Sequence, residues 1–246
     1  MKSTLKAAAF GPRLAATCLA VSLALTACRL GTTTQTGEII SETQSVDRGA
    51  ASSADVVIDF SAGELRVWGG SDGLMDASFR YNVVEWQPTV DYDVQGTVGS
   101  LHVRQSESDT FPVGDLVNEW DLRLEYGVPM DLEISVGAGV TDLELADLEV
   151  TNVAIDAGAA STTVDLAGVW QYDLRASISG GVGELIVDLP SEMGVRVSVS
   201  TGLGSVTTSG LSRDGEAYVN DAYGEAPYTL TLDLSVGVGA VTLRVP

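Results

Sequence analysis

Apolar and polar residues alternate in short runs along most of the chain, as in Leu132-Glu133-Ile134-Ser135-Val136. A period of two marks a strand with one buried face. In the second half a longer interval is laid over it. Leu132, Val153, Leu174 and Val195 stand 21 residues apart, as do Ile134, Ile155, Ala176 and Val197, and Leu143, Val164, Leu185 and Val206. A fixed period of that length predicts stacked units, none of which can bury its apolar face alone. Each unit carries a glycine corner between two strand runs: Gly137-Ala138-Gly139, Gly158-Ala159-Ala160, Gly180-Gly181-Val182-Gly183, Gly202-Leu203-Gly204 and Gly237-Val238-Gly239. The last unit is displaced, with Leu230, Leu232, Leu234 and Val241 lying 35 residues after Val195, Val197, Val199 and Val206. Tyr218, Tyr223 and Tyr228, in or beside the inserted segment, are expected to cover an exposed strand edge.

No segment after the N-terminus combines a helical period with helix caps. Before the repeat, strand runs at Val56–Phe60 and Glu64–Trp68 flank the corner Ser61-Ala62-Gly63, and others come at 77–84, 89–94, 100–105 and 120–125. Residues 106–118 are polar and read as the longest loop of this half. The predicted fold is all-β: an irregular N-terminal β domain at 37–130, then a short β-solenoid with 21-residue rungs at 131–246. Successive coils of such a stack lie ~4.8 Å apart.

Lys2, Lys6 and Arg13 precede an uncharged stretch from Leu14 to Leu25, shorter than the roughly 20 residues a membrane-spanning helix needs. It reads as a secretory signal. Its end, Leu25-Thr26-Ala27-Cys28, resembles the lipobox of bacterial lipoproteins. That resemblance implies a signal peptide at 1–27, cleavage before Cys28, lipid on the Cys28 thiol and a flexible tether at 28–36. The body is then expected outside the cytoplasm, anchored to the cell membrane or outer membrane. Cys18 leaves with the signal, so the two cysteines do not form a disulfide.

Charge sharpens this picture. The chain carries −21, and loss of three cations with the signal gives −24 (−21 − 3), with 10 arginines (13 − 3) and no lysine. Nucleic-acid binding needs cations against phosphates, so it is excluded as a function class. Anionic membrane surfaces repel such a body, which leaves the lipid on Cys28 as the expected membrane contact.

Ala62-Gly63-Glu64-Leu65-Arg66-Val67, Phe79-Arg80-Tyr81-Asn82, Asn118-Glu119-Trp120-Asp121-Leu122 and the Gly-x-Gly strands through Tyr218-Val219-Asn220 together resemble the toast-rack family of bacterial envelope proteins. The resemblance implies a distinct N-terminal domain and a solenoid-like β domain. The latter is similar to the C-terminal domain of cell-wall-active antibiotic response proteins and to adhesin-like proteins built of β repeats. It supplies a fold and a location, and no functional residues.

Motifs for chemistry do not complete. Gly69-Gly70-Ser71-Asp72-Gly73 matches a nucleophile elbow, but that motif needs a following helix and a histidine base. The segment from Leu74 to Val84 reads as strand, so a hairpin turn is predicted. The sole histidine, His102, sits on the polar phase of a strand and is expected to be solvated. Without a second histidine or a mature thiol partner, a zinc site of the usual ligands is not expected. Asp91-Tyr92-Asp93-Val94-Gln95-Gly96 opens like a calcium loop, yet its twelfth position is His102 where a glutamate is required. Gly180-Gly181-Val182-Gly183 has Leu185 where a calcium-binding repeat has aspartate. Loose calcium binding by surface carboxylates stays open, and no metal or cofactor residue is assigned. Phe60, Trp68, Phe79, Tyr81, Trp86, Tyr92, Phe111, Trp120 and Tyr126 are read first as core, with sugar stacking or partner anchoring as the second reading.

The sequence therefore predicts a non-catalytic, lipid-anchored envelope protein serving adhesion or scaffolding, with an envelope protein or cell-wall glycan as partner. The alternative is a ligand-binding or sensory module in an envelope-stress response, working through a membrane partner.

Overall fold

A computed structural model describes residues 33–106 and 111–246; Cys28 and the expected signal lie outside them. The strands in chain order are β1 (Thr33–Gln35), β2 (Ile40–Val46), β3 (Ser53–Ser71), β4 (Met75–Tyr81), β5 (Pro88–Gln95), β6 (Val98–Gln105), β7 (Phe111–Val113) and β8 (Asn118–Glu125). They continue with β9 (Met130–Glu144), β10 (Val150–Asp165), β11 (Leu174–Asp188), β12 (Gly194–Ser209), β13 (Ser212–Asp214), β14 (Ala217–Val219) and β15 (Thr229–Arg244). A 3₁₀ turn at Val84–Trp86 is the one helical element among the described residues.

The architecture is all-β. Six long strands stack in parallel in the spatial order β3, β9, β10, β11, β15, β12. Each is a single strand that bends at its glycine corner, and the buried phase changes there. In β9, Leu132, Ile134 and Val136 are buried before the corner, and Thr141 and Leu143 after it. The even positions turn inward on one arm and the odd positions on the other, so both arms face one interior. Columns such as Ile58–Ile134–Ile155–Ile178–Leu234 run through that interior. Every rung but β10, which has Ala160 there, places glycine in one corner column for a steric reason. A Cβ on Gly239, whose φ is 154°, would lie 1.8 Å from the carbonyl oxygen of Gly183 in the rung beside it.

The ladder refines the 21-residue expectation. Leu132 does pair with Val153, but Val153 pairs with Ala176, a step of 23 (176 − 153). The connection at 166–173 takes up the difference. Trp170 is buried within it, donates Nε1–H to the Leu166 carbonyl at 2.9 Å and meets the Tyr172 ring edge-on at 6.0 Å. Leu174 remains in the core, yet its ladder partner is Leu230, which also pairs with Val195. The last strand in sequence thus inserts between β11 and β12. Hydrophobicity explains the exchange. β15 turns Leu232, Leu234, Val236, Val241 and Leu243 inward, all buried, whereas β12 offers Thr201 and Thr208 at the equivalents of Val236 and Leu243. The more apolar strand takes the interior slot and the more polar one is left at the end.

The boundary expected at 130/131 falls between two paired rungs. β3 lies along β9 with Val56 on Leu132 and Val67 on Leu143, and residues 32–246 form one compact unit. On the far side of β3 the next rung is split in two. β6 pairs with the first arm and carries β5, while β8 pairs with the second arm and carries β4 and β2. At the break, side chains replace backbone: Asn118 Nδ2–H donates to the Ala62 carbonyl at 2.6 Å and to Gln105 Oε1 at 3.0 Å, and Gln105 Oε1 accepts the Ser61 N–H at 3.1 Å. Trp120 fills the core here, edge-on to Phe60 at 5.0 Å and Phe79 at 5.1 Å. The core reading therefore holds for Phe60, Phe79, Tyr81 and Trp120.

Candidate interaction face

The residues between the buried ones form ladders on the outside. Along the first arm one ladder reads Asp55–Asp131–Asn152–Arg175–Thr231, the next Val57–Glu133–Ala154–Ser177–Asp233, and a third Asp59–Ser135–Asp156–Ser179–Ser235. Because Ala154 and Ser177 are small among longer neighbours, the face hollows into a groove of about 660 Å³. Val57, Ala154 and Ser177 make its floor, and Asp55, Asp131, Glu133, Asp233 and Arg175 its rims. Toward the corner a second open hollow of about 710 Å³ is lined by Asp59, Arg104, Ser135 and Asp156 among others.

Hydrogen bonds along the ladders hold the rim carboxylates in place. Asp131 Oδ1 accepts the Asn152 Nδ2–H at 2.8 Å and the Thr151 hydroxyl, and Asp156 Oδ1 accepts the Ser179 hydroxyl at 2.7 Å. These carboxylates keep further lone pairs facing outward. The groove is thus an acceptor-rich surface with a single guanidinium, suited to an extended ligand that presents hydroxyl or amine donors.

His102 has a partner. Its Nε2 lies 2.6 Å from Asp59 Oδ2, and its Nδ1 faces Arg104 Nη1 at 3.4 Å, with Arg104 in turn paired to Asp91. An Asp–His pair acts as a base when the second ring nitrogen meets a nucleophile; here that nitrogen meets a guanidinium. Asp91 and His102 sit opposite each other in the β5–β6 ladder, so the segment that opens like a calcium loop is a strand pair. Ser71 ends β3, and its hydroxyl donates to Asp76 at 2.9 Å. The glycines around it turn the chain into β4, with β8 lying between β3 and β4, so the turn does not close the expected two-strand hairpin.

The outer face of the second arm differs. Trp68 is half-buried, its ring lies 5.0 Å from the Arg66 guanidinium and 5.9 Å from that of Arg123, and its Nε1–H donates to Asp121 at 3.0 Å. Both cations use the ring themselves. Tyr126 rests on bare backbone at Gly69, where a Cβ would come within 2.1 Å of its ring. The groove residues carry no motif of their own in the sequence, and their signal lies in the polar phase of the same period.

Residues 35–188 match the profile of a family described as the N-terminal domain of toast_rack, DUF2154. Among solved structures, a candidate cell adhesion protein from Clostridium sporogenes ATCC 15579 superposes with a TM-score of 0.83 at 26% identity, over 85% of this chain and 100% of that one. A candidate adhesin from Bacteroides fragilis NCTC 9343 is more distant, with 10% identity, a TM-score of 0.31, and 85% and 99% of the two chains covered. No curated protein matches the chain.

Proposed function

We propose, from the premise that this chain belongs to the toast-rack family, that it is a non-catalytic adhesion or scaffolding module of the bacterial envelope, held by lipid on Cys28. The observation that carries the adhesion reading is the likeness to the Clostridium protein named for cell adhesion. The groove gives that reading a place on the molecule. Its rims present Asp55, Asp131, Glu133 and Asp233 as hydrogen-bond acceptors around a shallow floor, and a cell-wall glycan strand supplies hydroxyl donors along its length. Shallow, open, multi-point contact of this kind favours weak individual binding that gains strength when many anchored copies act together.

The test is sedimentation of the full chain with purified cell walls, comparing the native sequence with Ala154→Arg and Ser177→Arg, which fill the groove from exposed positions. Retention should fall at least about tenfold. Unchanged retention would sink the groove reading, and no retention by the native chain would sink the glycan. For the anchor, Cys28→Ala should move the protein from the membrane fraction to the soluble one; retention in membranes would refute it.

A further inference from the structure

The stack is unfinished at β12. Every other long strand is paired along both arms, but beyond β12 the described residues place β14 against Arg196–Ser198 and Asn220 against Val195, with no strand further along. From Val199 to Ser209 the outer edge is open, and the end of the core opens with it. Val199 and Val206 are only partly buried, whereas their neighbours in β15, Leu234 and Val241, are buried. Leu203 ends an apolar corner ladder that is on the surface in every rung, with Val182 57%, Val238 45% and Leu203 71% exposed. Natural sheet edges are normally blunted by charge or proline. The opposite edges obey that rule: β5 begins at Pro88 and carries Asp91 and Asp93, and β2 carries Glu42. Residues 199–209 contain no charged side chain in a chain of net charge −21.

We infer that this edge takes up an extended segment of a partner protein as a seventh rung, in line with β14 and continuing the ladder. The stack itself states the chemistry of that segment. It must be apolar at alternate positions to cover Val199 and Val206. It must bring glycine to the start of the bend, where Gly137, Gly158, Gly181, Gly237 and Gly202 each meet the carbonyl of the rung before; a Cβ on Gly202 would lie 2.5 Å from the Gly237 oxygen. Against a strongly acidic body it carries lysine or arginine, rather than acid, on its outward phase. Pairing of this kind draws affinity from backbone hydrogen bonds and selectivity from the side chains at alternate positions. A second copy does not fit this description. Its own first rung is already flanked by β6 and β8, its β5 and β2 edges are acidic, and its β14 stands in the row that a two-fold partner needs.

The probe is a labelled synthetic peptide with the sequence of β15 from Leu234 to Arg244, which matches the open stretch Val199–Ser209 and carries Arg244 as its cation, titrated into the full chain by fluorescence anisotropy. Saturable binding is expected, weakened at least about tenfold when the peptide carries Gly237→Ala and Gly239→Ala. In the protein, Ser200→Lys with Ser205→Lys and Thr207→Lys should weaken it similarly, with an unchanged urea midpoint showing that the fold survives. Ala154→Arg in the groove should leave it alone, which separates this edge from the adhesion reading. The inference fails if no binding saturates below about 1 mM, if the alanine peptide binds equally, or if the lysine variant binds as well. It also fails if sedimentation shows the native chain pairing with itself through this edge.

Discussion

The two ends of the stack solve the same problem in opposite ways. At the β3 end the next rung is broken into β6 and β8, each extended by antiparallel strands, and the break is sealed by Asn118, Gln105 and a cluster of three aromatic rings. At the β12 end cover reaches only Val195–Ser198, from Asn220 and β14, and the core tapers into Thr201 and Thr208. The difference teaches that the regular period is not what terminates the fold. Termination is written in irregular sequence: aromatic and amide residues where the stack is closed, small uncharged ones where it is open.

That contrast can be tested by substitution, beginning with the largest effect. Trp120→Ala should cost about 3–5 kcal/mol, since Trp120 is buried between Phe60 and Phe79 and little can collapse into its place. Urea denaturation measures it, and a loss below about 1 kcal/mol would mean that the aromatic cluster does not close this end. Gly239→Ala should cost more than about 3 kcal/mol because backbone stands where the methyl must go. Gly204→Ala faces an equally short distance, but its rung has free space beyond it and should lose less than half as much. Equal losses would remove the distinction between interior and end.

Ile178→Ala, in a rung paired on both sides, should cost about 2–4 kcal/mol, against about 1 or less for the partly buried Val199→Ala at the open end of the same column. Thr141 and Thr162 are neighbours in one buried column, and their hydroxyls have no hydrogen-bond partner among the described residues. Thr162→Val is therefore expected to stabilise, by about 1 kcal/mol, and a net loss would point to a water held between the two. The smallest effect is one of pH. Hydrogen bonds from Ser45 and Ser71 hold the Asp76 carboxyl below its usual range, tying β2, β3 and β4 together. A lowered folded-state value stabilises above the unfolded one and loses that contribution as pH falls through the folded one. Asp76→Asn should flatten the acid limb of the stability curve; an unaltered limb would show that the tie contributes nothing.

Much of this fold was legible because strand period and corner glycines report directly on burial and on carbonyl approach. The 35-residue offset between Val195 and Leu230 gave the true ladder pairing of β12 with β15. It did not give their order, which depends on comparing inward residues of the two strands, Thr201 against Val236 and Thr208 against Leu243. The step from β10 to β11 was hidden by a loop whose tryptophan folds inward. Of the tyrosines expected to cover an edge, Tyr218 lies in β14 against β12, but that cover stops at Ser198. The groove was hidden for another reason: polar residues obey the period as strictly as apolar ones, but solvent tolerates any of them, so position alone does not mark a site.

The exchanged order of β12 and β15 has a bearing on biogenesis. A chain emerging from its N-terminal side presents β12 to the free edge of β11 before β15 exists. Any early docking must then be undone for Leu230 to enter between Leu174 and Val195. The order of the finished stack is consequently not the order of synthesis: the strand made last lies between two made before it, so the interior is complete only when residues 229–244 are in place.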